Sequence, residues 1–213
     1  MTMFARDLSV AHYRSFDSYR LVLDEGVTVL AGPNAAGKTN LIEALQLLTS
    51  GASFRHPTAA ELVHDGVGSC RVQLRLEGDG RVLDMGLNVE DGKRSFSRNG
   101  KKCSAAGVRG VLPSVLFCPD HLDMVKRGAS VRRAALDDFG VQLSARYADL
   151  ASAYGRCVTQ RNALLKESWC CREMLRAWNE SIARAGSALL VHRLALLDRL
   201  ASHVRDAYGQ VAS

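Results

Sequence analysis

The octapeptide Gly32–Thr39, GPNAAGKT, constrains this chain more than any other feature, because it joins an apolar run to a helical pattern through a loop that few folds can house. It satisfies G-x-x-x-x-G-K-[ST], the pattern of a loop that wraps its backbone around phosphates. Ahead of it, Val27–Ala31 (VTVLA) is a continuous β-branched and apolar run, which predicts a strand buried on both faces. Behind it, Leu41, Ala44, Leu45 and Leu48 recur at helical spacing, and Gly51 predicts the stop. Strand, loop and helix follow in the order such a loop demands.

Each residue type has a physical reason. Gly32 and Gly37 permit backbone conformations in the loop Pro33-Asn34-Ala35-Ala36 that turn its N–H groups, which Pro33 lacks, and those of its neighbours toward an anion, and the helix opening at Lys38-Thr39-Asn40 adds its positive end. Lys38 neutralises β and γ phosphates, and the Thr39 hydroxyl is a Mg²⁺ ligand. A nucleoside triphosphate with Mg²⁺ is therefore expected over Gly32–Asn40, against the plainer reading of a glycine-rich turn with an incidental lysine. Hydrolysis needs more: a carboxylate at the end of an apolar strand and a group that positions water. SVLFCPD (Ser114–Asp120) interposes a proline before Asp120, and RRAALDDF places Asp137 and Asp138 on a helical pattern, so neither supplies that strand. No LSGGQ-like stretch is present either.

The rest of the chain reads in two styles. Phe4 to Phe16 predicts a strand and a turn; Cys70–Gly78 and Arg81–Lys102 alternate with period two, broken by the turn signals EDG and RNG, so the middle is an antiparallel meander. Ser114–Phe117 reads as a short apolar strand. From Ala129 onward Leu136, Phe139, Leu143, Tyr147, Leu150 and Tyr154, then Met174, Trp178, Ile182, Leu189, Leu197, Leu200 and Val204, are spaced for helices, with KESWCCRE as the turn of an antiparallel hairpin or small bundle. The expected organisation is α/β, residues 1–118 carrying the phosphate loop and a mixed sheet, then an all-helical lobe over residues 119–213.

Composition excludes several classes. With 47% hydrophobic and 23% charged residues the 213-residue chain has an ordinary globular balance. No uncharged apolar run reaches the ~18 residues of a spanning helix, and the N-terminus has no secretory pattern, so a cytoplasmic location is expected. The six cysteines lack CxxC spacing and read as reduced thiols. The six histidines show no ligand spacing. A net charge of +6 favours an anionic partner.

VAHYRSF, GPNAAGKTNLIEAL, GASFRHPTAAELV, SRNGKK, VLFCPDHLDMVKRGASVRRAALD and QRNALLKE occur in that order, and together they make the whole chain resemble the RecF family of bacterial recombination mediators, ABC-type ATPases related to SMC heads. The resemblance implies an ATP-binding protein that forms an ATP-dependent homodimer, recognises single-strand/double-strand junctions of gapped DNA, and works with RecO and RecR. It implies that Arg14, from the family's NFR motif, reaches the phosphates, that Asn34 is a loop asparagine common to related proteins, and that Arg55 approaches the γ-phosphate. Family members continue past the position of Ser213, and that further part carries their signature motif and Walker B strand, so the chain resembles an N-terminal portion. Alone it is expected to bind nucleotide weakly and to hydrolyse it negligibly. For DNA, the basic candidates are Lys93, Arg94, Arg98, Lys101 and Lys102 on the hairpin and Lys126, Arg127, Arg132 and Arg133 at the helical entrance, each also readable as solvated surface. Phe96 lies among them and reads as core rather than as a base-stacking ring. Two other classes remain open from residues alone: a P-loop kinase of a small molecule, and a non-catalytic interaction protein with a structural nucleotide site.

Overall fold

The computed structural model describes residues 3–167 and 171–212. Two compact units divide the chain, Met1–Leu116 and Phe117–Ser213.

The first unit is a six-stranded sheet with a helix on one face. Strands β1 (Phe4–Tyr13), β2 (Phe16–Val22), β3 (Ser69–Gly78), β4 (Arg81–Glu90), β5 (Lys93–Arg98) and β6 (Lys101–Cys103) lie in the order β2-β1-β3-β4-β5-β6, and every pairing is antiparallel. The meander is driven by its turns. Asp79-Gly80, Asp91-Gly92 and Asn99-Gly100 each place two consecutive residues at positive φ, the geometry whose twist matches flanking strands, and Asp, Asn and Gly adopt it at least cost.

Alternation along β3 sends Cys70, Val72, Leu74 and Leu76 into the core and Arg71, Gln73 and Arg75 to the other face. The inner face carries helix α1 (Lys38–Ser50), whose Leu41, Ala44, Leu47 and Leu48 are buried against Leu8, Val10, Leu74 and Leu87. Gly51, at φ 73°, caps α1 by donating its N–H to Leu47 O at 3.2 Å. A short helix α2 (Ala105–Val108) closes that side and presses the Ala105 carbonyl against Gly51.

Two sequence expectations give way here. Val27–Ala31 forms no strand: among the described residues nothing pairs with it, and Val27 and Val29 are 93% and 80% exposed. Ser114–Phe117 likewise forms no strand, with Val115 and Phe117 exposed. A run of β-branched residues sets the propensity for extended backbone, but a strand exists only where a neighbour takes its hydrogen bonds. The sheet's parallel component, expected from this run, is accordingly missing among the described pairings.

The second unit is helical. After α3 (Asp123–Lys126), helices α4 (Ala129–Leu143), α5 (Ala145–Leu164) and α6 (Arg172–Val211) pack around Tyr147, Leu189 and Leu196, flanked by Leu136, Phe139, Leu150 and Tyr154. Asp137, read from the sequence as a poor catalytic acid, is a structural ion here. Arg193 Nη2 and Nε donate to it at 2.6 and 2.9 Å, and Tyr147 Oη donates at 2.6 Å. Gly140 makes room for the Tyr147 ring, since a Cβ there would lie 2.6 Å from it. Part of the expected KESWCCRE turn, Ser168–Cys170, lies outside the described residues. Among the described residues no helix is long and apolar enough to cross a membrane.

Candidate phosphate-binding site

The loop Gly32–Gly37 is open to solvent except at its last residue. Three residues in it adopt backbone conformations at positive φ: Gly32 at 155°, Ala35 at 66° and Gly37 at 87°. Gly37 is irreplaceable on two counts, because it is left-handed and because a Cβ would sit 2.4 Å from the Phe16 ring and 3.0 Å from Ser15 Oγ. Its carbonyl accepts the N–H groups of Asn40 and Leu41 at 2.9 and 3.2 Å, which starts α1. No side chain caps that helix and no acid occupies its first turn, so its positive end is uncompensated and faces the loop.

Lys38 folds over the loop, with Nζ donating to the carbonyls of Gly32 and Pro33 at 2.8 and 2.7 Å. The Thr39 side chain is exposed. An anion in this concavity meets a lysine, a helix end and a chain of loop amides, and a hydroxyl such as that of the exposed Thr39 is of the kind that ligates a phosphate-bound Mg²⁺. The residues present therefore fit a nucleotide triphosphate and its metal.

Behind the loop lies a group that sequence reasoning missed. Glu43, one turn into α1, is fully buried. Arg14 Nε and Nη2 donate to its two oxygens at 3.0 and 2.9 Å, Ser53 Oγ at 2.6 Å and Tyr13 Oη at 3.3 Å. Burial pushes the Tyr13 phenol well above its ordinary value, the charge of Glu43 adding to the effect. Burial alone would lower the Arg14 guanidinium, yet its hydrogen bonds to Glu43 outweigh this and the net direction is upward. Arg14 is also fixed through its backbone, where the residue is left-handed (φ 52°), its N–H donates to Leu62 O at 3.0 Å and its carbonyl lies 2.7 Å from His64 Nδ1.

Arg55 is held differently. Nη1 donates to Asn40 Oδ1 at 2.9 Å and reaches Glu43 Oε2 only at 3.5 Å, the guanidinium stacks over Phe54, and the side chain is 38% exposed. Asn40 in turn donates to Ser15 Oγ at 3.0 Å. Of the two arginines expected at the phosphates, Arg14 is thus spent on a buried carboxylate, whereas Arg55 rests at the mouth of the loop on exchangeable partners. Glu43 had one signal in the sequence: Leu47, outside the stripe of Leu41, Ala44, Leu45 and Leu48, lies one turn after it and marks a second buried flank of α1.

The basic candidates divide by register. Lys93 and Lys102 project from the sheet face opposite α1, while Arg94, Arg98 and Lys101 share the side of Phe96, which is core. Arg94 is tied to the carbonyl of Pro57. On the outer face charges are interleaved, Arg20 with Asp7 at 2.6 Å and Arg75 with Asp84 at 3.0 Å. In the helical unit Arg132 donates to the carbonyls of Met124 and Arg127, and Arg133 is exposed.

Residues 7–108 match the family model described as an AAA domain. The chain is 35% identical over 217 residues to the DNA replication and repair protein RecF of Arthrobacter sp. (strain FB24), covering 98% of this chain and 54% of that protein. It is 34% identical over 221 residues to the RecF of Streptomyces avermitilis, covering 99% of this chain and 59% of the relative. It thus spans little more than half the length of the curated relatives it matches. Two solved structures of the recombination mediator protein RecF in the RecFOR pathway, RecF-ATPrS and RecF-ATP, superpose with TM-scores of 0.86 and 0.84 at 28% identity, covering 93% of this chain and 55% of theirs. These likenesses relate the chain to the RecF family, over a portion of its members' length.

Proposed function

We propose that this chain forms the nucleotide-gripping portion of an ATP-dependent DNA-binding recombination mediator, acting at gapped or junction DNA in recombinational repair and replication restart. The observation that carries the reading is the loop itself: Lys38 poised over Gly32 and Pro33 at an uncapped helix end, in a chain that superposes on RecF with ATP. In this reading Gly32–Asn40 bind ATP, Thr39 takes the Mg²⁺ that the triphosphate carries, and Arg55 leaves Asn40 for a terminal phosphate. Arg14 stays with Glu43 and shapes the wall of the site without touching nucleotide. Mg²⁺ supplies charge neutralisation between phosphates; the chain's own groups bind and orient.

No acid contacts Lys38 among the described residues, and Glu43, the carboxylate on α1, is already engaged, so turnover by this chain alone is negligible. Bound ATP favours a homodimer that closes on DNA, with RecO and RecR as partners, in the cytoplasm. Lys93, Lys102 and Arg133 are the exposed cations best placed for phosphates; Arg94 and Arg132 come second because they already donate to carbonyls, and Lys101 because it shares the side of Phe96.

The test is binding of a fluorescent gapped duplex with and without Mg-ATP, by wild type and Lys38→Ala. Affinity that rises with ATP, is lost in Lys38→Ala and falls steeply with salt supports the reading. DNA affinity indifferent to both nucleotide and Lys38 refutes it.

A further inference from the structure

The segment Ser53–Thr58, between α1 and β3, carries Arg55 and is held at four points. Ser53 Oγ donates to the buried Glu43 at 2.6 Å, and the Phe54 N–H donates to Gln46 Oε1 at 2.8 Å. Arg94 donates to the Pro57 carbonyl, and the Thr58 N–H and hydroxyl donate to Glu61 at 2.6 and 2.9 Å. Between these points the chain makes a tight turn, in which the His56 N–H donates to the Ser53 carbonyl at 3.1 Å and His56 is left-handed at φ 48°. A non-glycine residue keeps that conformation only where its surroundings hold it.

Two of the four points are reached from elsewhere in the fold by side chains that the phosphate loop does not use. Gln46 lies one turn beyond Glu43 on the same flank of α1 and is half-buried. Its amide oxygen fixes the backbone of Phe54, the residue whose ring carries the Arg55 guanidinium at 5.4 Å. Arg94 reaches the segment from β5, where it pairs with the buried Val89 and so stands on the side of the sheet that faces α1. It has no ion pair among the described residues, and its cation is spent on a neutral carbonyl. Gln46 thus fixes the residue before Arg55 and Arg94 the second residue after it. The far end of the Arg55 side chain rests on Asn40, in the first turn of α1 beside Lys38.

We propose that Gln46 and Arg94 are positioning residues for Arg55: they fix the segment that presents its guanidinium to the terminal phosphate, and so set the preference of the site for a nucleoside triphosphate over a diphosphate. The inference rests on the proposed function, in which Arg55 takes that phosphate. Lys38 and the loop amides grip phosphates that both ligands share, so a loosened segment costs only the contact that the diphosphate lacks. A guanidinium on a wandering segment is in reach for a fraction of the time, and the apparent affinity for triphosphate falls with that fraction. Neither Gln46 nor Arg94 itself touches nucleotide.

Competition of Mg-ATP and of Mg-ADP against a fluorescent ATP analogue, on the chain without DNA, reads this preference as a ratio of two affinities, in which a change in the folded fraction cancels. Gln46→Met and Arg94→Met keep most of the side-chain volume while removing the acceptor and the donor. Each is expected to weaken Mg-ATP about fivefold and Mg-ADP less than about twofold. Arg94→Lys keeps a donor and restores most of the loss. In an Arg55→Ala background neither substitution weakens Mg-ATP further, whereas a merely structural role would weaken both nucleotides with or without Arg55. Equal losses for the two nucleotides, losses that add to that of Arg55→Ala, or unchanged affinities overturn the inference. A wild type that binds neither nucleotide overturns the proposed function and the inference with it; a wild type that prefers Mg-ATP, with variants that keep the preference, overturns the inference alone.

Discussion

Removing Arg14 is the perturbation whose consequence the structure fixes most tightly. Arg14→Met keeps most of the side-chain volume but leaves the Glu43 carboxylate, at 0% exposure, with two hydroxyls and a distant Arg55. Breaking a buried pair from one side costs about 3–5 kcal/mol, because a charge is stranded in low dielectric; the 19% exposure of the Arg14 side chain favours the lower end. Replacing both partners is a different experiment. Arg14→Met with Glu43→Leu removes the charge as well as the cation, leaving only Tyr13 and Ser53 to find new acceptors at about 1 kcal/mol each. The double variant is therefore expected to recover more than half of the single variant's loss. Native-state hydrogen exchange of the β1 and β3 amides in mild urea reads the first unit without interference from the helical one. A loss below about 1 kcal/mol in Arg14→Met, or no recovery in the double variant, refutes the assignment of Arg14 as the counterion of Glu43.

Three further outcomes follow from named contacts. Gly37→Ala meets both the left-handed backbone and the Phe16 ring, so phosphate binding is lost in a folded protein, and Phe16→Ala restores part of it; titration with a fluorescent ATP analogue reads both. Arg55→Ala leaves the melting temperature unchanged and weakens Mg-ATP about tenfold or more, with little effect on ADP, because it loses one charge-assisted contact to the terminal phosphate. In the helical unit, burial alone would raise Asp137, but hydrogen bonds from Arg193 and Tyr147 hold it below its ordinary 3.8, while burial and Asp137 push Tyr147 up to about 12. A depressed acid adds stability that is present above pH 3.8 and disappears as pH falls through the lower folded value. A raised phenol adds stability that is present below its ordinary pH 10 and disappears as pH rises toward 12. Urea midpoints of the helical signal should fall at both ends, and Asp137→Asn should abolish the acid limb.

Much of this architecture is legible in local sequence because local chemistry decides it. The Asp-Gly and Asn-Gly pairs set hairpin twist without reference to distant residues, and Gly51 ends α1 for the same reason. The three-and-four spacing likewise finds Leu136, Phe139, Tyr147, Leu150, Tyr154, Leu189 and Leu200 of the helical unit's core, whereas Leu143, Met174, Leu197 and Val204 on the same pattern are exposed. Val27–Ala31 marks where this stops: its residues favour extended backbone, but pairing is decided by segments far away in the chain, and none of the described ones supplies it. The site divides in the same manner. Gly32, Gly37, Lys38 and Thr39 are bound to one another by a short motif. Glu43 is invisible to a motif because its burial depends on Tyr13, Arg14 and Ser53 converging from three other segments. In that convergence Arg14, expected at the phosphates, donates to Glu43.

If loop amides, a helix end and Lys38 form a triphosphate cradle, the folded protein takes up Mg-ATP through that loop. Isothermal titration of the folded protein with Mg-ATP tests it most directly. A saturable heat is expected that ADP competes away and that disappears in Lys38→Ala without loss of thermal stability. No heat and no competition, or an undiminished signal in Lys38→Ala, contradicts it.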